Sequence, residues 1–413
     1  MAFQQGLSGL NATSKNLEII GNNIANANTF GYKTSRAEFS DMYAAALNGA
    51  GANSIGIGVN LAAVAQQFTQ GNISVTANAM DLAINGPGFF QVTDGLNPTL
   101  YSRNGQFKVD REGFVVNNQG LKLMGFPATG SGVIQPGQAA PLQLPTAGID
   151  PAATSKIAIE MNLDSRAAAV AAPGTIDVDD PTTYTNATSI TIYDSKGQDI
   201  AMTYYFQKSA DDTWNVFVFA NGTAVGTPIA LTFDTATGRL TAPASPVPLP
   251  VPATTNSAGA TTVPFDPPYP TLDLRGATQF GAPFGVTNLT QDGYAPGQLS
   301  GVTIEPNGIV MARYSNGQSK PAGQIELATF RNPQGLQPMG NNVWARTFAS
   351  GDPIVGVPGE GNMGVLQAGA LEESNVDITS ELVNMITAQR MYQANAQTIK
   401  TTDQAMQSLL NLR

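Results

Sequence analysis

Both ends of this 413-residue chain carry apolar residues in alternating steps of four and three, while the middle follows the two-residue period of β-strands. From the N-terminus, Phe3, Leu7, Leu10, Ser14, Leu17, Gly21 and Ile24 form a heptad seam with two weak positions. At the other end Ile378, Leu382, Met385, Gln389, Tyr392, Ala396, Ile399, Asp403, Met406 and Leu410 keep the same rhythm. No glycine or proline interrupts the stretch between Ser374 and Leu412. Ser374 with Asp377 reads as a capping box, and Glu381 sits early in the helix, where the dipole favours an anion. A helix is therefore expected at each end, the C-terminal one longer.

The N-terminal helix is stopped by "NNIANANTFGYK", residues 22–33. Asparagine amides compete with the helix for backbone groups, and Gly31 offers the left-handed conformation that ends many helices. Asn22, Asn23, Asn26 and Asn28 are expected to hydrogen-bond to the departing backbone, and Phe30 and Tyr32 to anchor the exit against a neighbour.

The middle is a different text. Asn-Gly pairs fall at 85–86, 104–105, 221–222, 307–308 and 316–317, several between β-like runs. "SITIYDSKGQDIAMTYYF", "WNVFVFANGTAVG" and "GVTIEPNGIVMARYSNG" alternate apolar and polar residues as hairpins do. Residues 241–270 hold nine prolines and are expected as a surface excursion. Composition shifts near 135–154 and 271–285 mark the two linkers of an inserted domain. The expected fold is α+β: terminal α-helices forming a coiled-coil-like assembly domain (1–70 plus 366–413), a first β domain (71–145 plus 285–365), and an outer β domain (146–284) nested within it.

Composition removes whole classes of chemistry. The chain has no cysteine and no histidine, so disulfides, thiolate and imidazole metal sites, and the Ser-His-Asp triad are excluded. No cofactor is expected. The net charge of −10 disfavours nucleic acid or an anionic membrane as partner. Charged residues are only 12% of the chain, against roughly 25% in an ordinary domain, which leaves a surface rich in amides and hydroxyls. The first residues lack a basic segment and apolar run, and no stretch of about 18 apolar residues could span a bilayer. Asp179-Asp180, Asp211-Asp212 and Glu372-Glu373 could suggest a two-carboxylate glycosidase, but adjacent acids usually point to different faces and are solvated.

Two uses are open to the terminal helices: a clasp on their own β domain, or contacts with neighbouring subunits. A buried seam side chain contributes ~1.5–3 kcal/mol. Ordering each residue's backbone costs about 1–2 kcal/mol, and a lone helix pair buries only one seam. That balance favours ends that need neighbours.

Four stretches carry a family resemblance. "GNNIANANTFGYKTSRAEF" and "NVDITSELVNMITAQRMYQANAQTIKTTDQAMQSLLNLR" resemble the terminal signatures of the axial proteins of the bacterial flagellum, the rod, hook and hook–filament junction. "AINGPGFFQV" and "YSRNGQFKVDREGFVVNNQGLKLMGF" resemble the start of their first β domain. Within that family the length and the large inserted domain are most similar to hook-type members, with a distal-rod-like axial protein as the alternative.

The resemblance implies a structural homopolymer and no enzyme. The terminal helices form an inner tube and the β domains face outward, so that the assembly serves as a universal joint between rod and filament. It implies polymerisation through Phe3, Leu7, Leu10, Leu17, Ile24, Ile378, Leu382, Met385, Tyr392, Ile399, Met406 and Leu410. The family motif at the helix exit falls on Asn23, Asn26, Asn28, Gly31, Tyr32 and Lys33. Implied partners are the hook cap, distal rod and hook–filament junction proteins and the type III export apparatus, with no nucleic acid and no membrane. The expected location is extracellular, in the flagellum, reached without a cleaved signal peptide. Phe39 and Tyr43 match a pattern implied in export-gate recognition; packing of a short helical turn is the alternative reading of that pair.

Overall fold

The structure, a computed structural model, describes residues 2–43, 56–130, 132–137, 139–244 and 246–411; the side chains of Ala2, Tyr43 and residues 408–411 lie outside the described set. The two heptad patterns become helices α1 (Ala2–Ala25) and α2 (Ile378–Asn411). The α2 cap is displaced from the expected one. Asp377 is the N-cap: its Oδ1 accepts the Thr379 N–H at 2.9 Å and the Ser380 N–H at 3.3 Å, and Ser380 Oγ donates to Oδ2 at 3.0 Å. Ser374 Oγ instead accepts the Val376 N–H at 3.2 Å. The reason is upstream, where Ala370–Glu372 is still strand, paired antiparallel with Ile73–Val75, so the chain has not yet turned at Ser374.

Residues 34–70, expected only as a connection, contain a long antiparallel hairpin. β1 (Ser35–Tyr43) pairs with β2 (Gly56–Gln66) from Ser35 opposite Gln66 to Tyr43 opposite Gly56. Phe39 therefore stands on a strand, and the helical-turn reading of 39–43 is wrong: pairing with β2 satisfies the backbone that a helix would have bonded internally. The hairpin is fastened to α1, with Gln5 Nε2 donating to Gly56 O at 2.7 Å and the Val59 N–H donating to Ser8 Oγ at 3.3 Å. Gly58 has φ 141°, and a Cβ there would lie 2.1 Å from Ser8 Oγ, so this approach requires glycine.

The chain divides into two compact units: 1–146 with 301–313 and 319–413, and 147–300 with 314–318. The first contains both helices, the hairpin and a sheet of 13 strands among the described residues. Strands from either side of the insertion are neighbours in that sheet: Lys122–Pro127 pairs antiparallel with Ser319–Ile325, placing Phe126 opposite Gln324. On Phe89–Thr93 the two-residue period sends Phe90 and Val92 into a core with Leu82, Ile84, Leu123 and Ile325. Phe89 points the other way, into an aromatic cluster with Tyr101, Phe330, Trp344 and Phe68.

The second unit is two sheets closed on one core. Lys156–Asp164 alternates buried and outward residues, and its Ile157, Ile159, Met161 and Leu163 share a core with Met202, Tyr204, Phe206, Trp214, Val216 and Val218 of the antiparallel sheet. The Asn221-Gly222 pair makes the expected tight turn, with φ of 45° and 81°, between Thr213–Ala220 and Thr223–Ala224. One expectation changes here and another is refined. Gly285–Gln291, assigned from composition to the first β domain, pairs with Lys156–Asp164, so the second unit runs to residue 300. The Pro-rich stretch 241–270 lies largely at the surface, as expected, but it is anchored: Leu249 and Val251 are buried in the core, Val247–Pro248 joins the sheet, and Thr254 and Thr262 bond each other in the interior. Proline at strand edges and turns loses no needed donor, which lets this composition line a core.

Leu249→Ala is expected to destabilise the second unit by about 2–5 kcal/mol, measured by denaturant unfolding, where a surface site would change by less than about 0.5 kcal/mol. Glu326 gives a pH prediction. It is buried, and burial pushes its carboxyl above the usual range, opposed only partly by the Gln91 amide. A carboxyl raised by folding binds its proton more tightly in the folded state. Its contribution therefore favours folding in acid and is lost as pH rises through the raised value. Glu326→Gln is expected to raise Tm at neutral pH, with the gain vanishing below the ordinary carboxylate range; a lowered neutral Tm would contradict this.

Candidate functional site

The candidate site is the root where both terminal helices join the first unit. Three chain segments that are far apart in sequence meet there: 30–35, 66–71 and 372–375. Asn23, at the end of α1, is 1% exposed and clamps the departing chain at Ser35, donating from Nδ2 to Ser35 O at 2.8 Å and accepting the Ser35 N–H on Oδ1 at 2.9 Å. Tyr32 Oη donates to the same Oδ1 at 3.1 Å. Asn26 works locally, its Nδ2 donating to Asn22 O at 3.0 Å and to Asn22 Oδ1 at 2.6 Å. Asn28 is exposed. Gly31 has φ 70°, and a Cβ there would lie 2.5 Å from the Asn104 nitrogen; its own N–H donates to Glu372 O at 2.8 Å.

Lys33 and Glu372 form the centre. Both side chains are fully buried, with Lys33 Nζ donating to Glu372 Oε1 at 2.5 Å and to Thr69 O at 2.7 Å. Arg103 Nη1 donates to Glu372 Oε2 at 3.2 Å, and the Gly71 N–H donates to Oε1 at 3.0 Å. Burial pushes the Lys33 ammonium below its usual range while Glu372 pulls it back up, and burial acts on Arg103 in the same direction. Asn375 completes the lacing: its Oδ1 accepts the Thr34 N–H and hydroxyl at 2.8 Å each, and its Nδ2 donates to Gln67 O at 2.8 Å. Such an arrangement fixes the direction in which two helices leave a β unit.

The face joining the helices is not the expected seam. On α1 it is Gly6, Gly9, Thr13, Asn16, Ile20 and Asn23, again in steps of three and four, all buried or half-buried. Gly6 meets Ile399, Gly9 meets Asn395, and the Asn23 amide reaches Glu381 at 3.5 Å. Ala388 is the buried contact on α2. Small residues bring the two backbones close, so large ones cannot be accommodated between them. The expected seam is left partly outside: Phe3, Leu7, Ile378, Leu382, Tyr392 and Met406 are exposed, Leu382 by 46%. Leu10, Leu17, Ile24, Met385 and Ile399 are half-buried, and the side chain of Leu410 lies outside the described residues.

Other expectations are corrected by this geometry. Within its own chain Tyr32 bonds Asn23, and the Phe30 carbonyl accepts the Asn342 amide at 2.9 Å. Phe39 is 41% exposed beside α1 and α2; the Tyr43 side chain lies outside the described residues. Glu372, grouped from sequence with solvated acid pairs, is the buried anion of the root. Sequence reasoning missed Arg103, Glu372 and Asn375 as site residues. The stripe from Gly6 to Asn23 was missed as well, because the larger apolar seam beside it has the same spacing.

Comparison with known proteins matches both ends and the middle of the chain. Residues 3–33 match the family described as flagella basal body rod protein, 83–198 the flagellar hook protein FlgE/F/G D1 domain, 162–294 the flagellar basal body protein FlaE D2 domain, and 367–412 the flagellar basal body rod FlgEFG protein C-terminal region. The flagellar hook protein FlgE of Salmonella typhimurium is 40% identical over 420 residues, covering 100% of both chains. That of Escherichia coli K12 is 39% identical over 418 residues, again covering 100% of each. The crystal structure of Helicobacter pylori flagellar hook protein FlgE2 shares the fold, with a TM-score of 0.54 at 16% identity over 72% of this chain and 100% of that one. With end-to-end identity at this level, the chain belongs to the flagellar hook protein family.

Proposed function

We propose that this chain is the structural subunit of a bacterial flagellar hook. Copies polymerise into a curved, flexible tube that couples the rod to the filament as a universal joint. Full-length identity with hook proteins supports the reading. The observation that carries it is the two-faced character of the terminal helices. Small residues join α1 to α2 within the chain, and Phe3, Leu7, Ile378, Leu382, Val383, Ile386 and Met406 stay exposed. Exposed apolar stripes of this length are what a neighbouring helix covers in an assembly. The polymerisation residues are thus Phe3, Leu7, Leu10, Leu17, Ile24, Ile378, Leu382, Met385, Tyr392, Met406 and Leu410, with Ile399 serving mainly the pairing inside one subunit.

The partners that follow are further copies of the chain along the tube, the distal rod at one end, and the cap and hook–filament junction proteins at the other. The type III export apparatus delivers the subunit, with Phe39 and Tyr43 as its contact. The acid pairs support no catalytic role. Asp211 is fully exposed beside Lys208 at 3.6 Å, Asp180 is bonded to Thr182, and Glu372 is held by two cations.

Leu382→Asp tests the reading, because the side chain is exposed in the single chain and lies outside its buried cores. Burying an unpaired carboxylate in each subunit interface costs several kcal/mol, so polymerisation should require roughly a hundredfold more protein while the β units melt unchanged. Sedimentation with electron microscopy of concentrated protein measures this. Tubes forming at the wild-type concentration would remove the terminal helices from the assembly.

A further inference from the structure

The root of the helices carries an unbalanced charge. Lys33 and Arg103 share the single carboxylate of Glu372, so the buried cluster holds two cations and one anion. Arg103 is 4% exposed, its guanidinium lies 5.2 Å from the centre of the Phe89 ring, and its buried Nε has no hydrogen-bond partner among the described residues. A buried charged donor left unbonded is costly, and native structures rarely keep one without a use.

Arg103 lines a cavity of about 590 Å³ in the first unit. Phe68, Phe89, Phe330 and Ile354 wall it, and the exposed Arg331 stands at its outer edge with no ion pair among the described residues. The "GPG" of residues 86–88 forms part of its lip. Gly86 and Gly88 have φ of 114° and 138°, a backbone conformation that favours glycine. The cavity thus combines a cationic donor in its depth, a second at its edge, and apolar walls between them.

We propose that this cavity is a socket for an acidic side chain, Asp or Glu, supplied by a second copy of this chain. The proposal rests on the assembly reading above. Charge complementarity argues for the second copy: the socket is cationic, whereas the chain as a whole carries 30 acidic residues against 20 basic ones. The incoming carboxylate accepts a bond from Arg331 and lies in the field of the buried Arg103 guanidinium, whose charge Glu372 shares with Lys33, while its methylene stem lies against the phenylalanine rings. Docking neutralises the excess charge of the root, so each contact between subunits also relieves the place where the terminal helices are held.

The test uses the full-length chain. Arg331→Glu reverses the edge charge at an exposed position, and Arg313→Glu does the same at an exposed position outside the cavity. Arg331→Glu is expected to raise the protein concentration needed for polymerisation by about tenfold or more, with Tm of the monomer unchanged, while Arg313→Glu assembles as wild type. The chain has no cysteine, so Asn362→Cys at the cavity accepts a single environment-sensitive fluorophore, expected to shift to shorter wavelength on polymerisation. Equal assembly of wild type and Arg331→Glu overturns the socket alone, as does an equal loss in Arg313→Glu or a label that stays solvated in the polymer. Saturable binding of acetate to the monomer without any effect of Arg331→Glu on assembly assigns the cavity to a free anion and also overturns it. Failure of the wild-type chain to form tubes overturns the assembly reading, and the socket with it.

Discussion

One carboxylate holds the two ends of this chain together. Glu372 accepts from Lys33, which follows the exit of α1, and from Arg103, which belongs to the β unit, six residues before α2 begins. Three charges removed from water are tolerable only while they face one another. The hydrogen bonds around them, from Gly31, Gly71 and Asn375, follow from that requirement, because a buried backbone with no partner would add its own cost. Both helices therefore leave the first unit from one rigid point.

From that point the helices present two faces of opposite kind. The inner face is made of Gly6, Gly9 and Ala388, where the cost of adding volume is high. The outer face is made of large apolar side chains that water covers poorly. A single chain satisfies only the first. The division explains how a helix can be fixed within its subunit and still keep most of its apolar surface for others.

Periodicity made the helices, the β-rich middle and the Asn-Gly turns legible, because each is dictated by residues close in sequence. What stayed hidden was long-range. The β1–β2 hairpin looks like a connection because its strands alternate weakly and its stability comes partly from Gln5 and Ser8 of α1. Composition suggested that residues 241–270 were loose, yet Leu249 and Val251 find a core supplied by strands on both sides. At the site, Asn23, Gly31 and Lys33 stood inside a recognisable motif, whereas Arg103 and Glu372 carry no local pattern that distinguishes a buried charge from a solvated one. Burial of a charge depends on its partner, and that partner is 339 residues from Lys33.

The nesting of one unit inside the other also orders the way this polypeptide comes to be folded. Phe126 cannot meet Gln324, nor Lys33 meet Glu372, without closing a loop that contains the whole of residues 147–300. The hairpins of that inner stretch, such as Met202 opposite Ala220, close over short distances and need nothing outside themselves. Loop-closure entropy rises with length, and a folded insert shortens the loop that remains. On that ground the inner unit is expected to condense first, the split sheet to pair next, and the charged root and the pairing of α1 with α2, which close the longest loops, to form last.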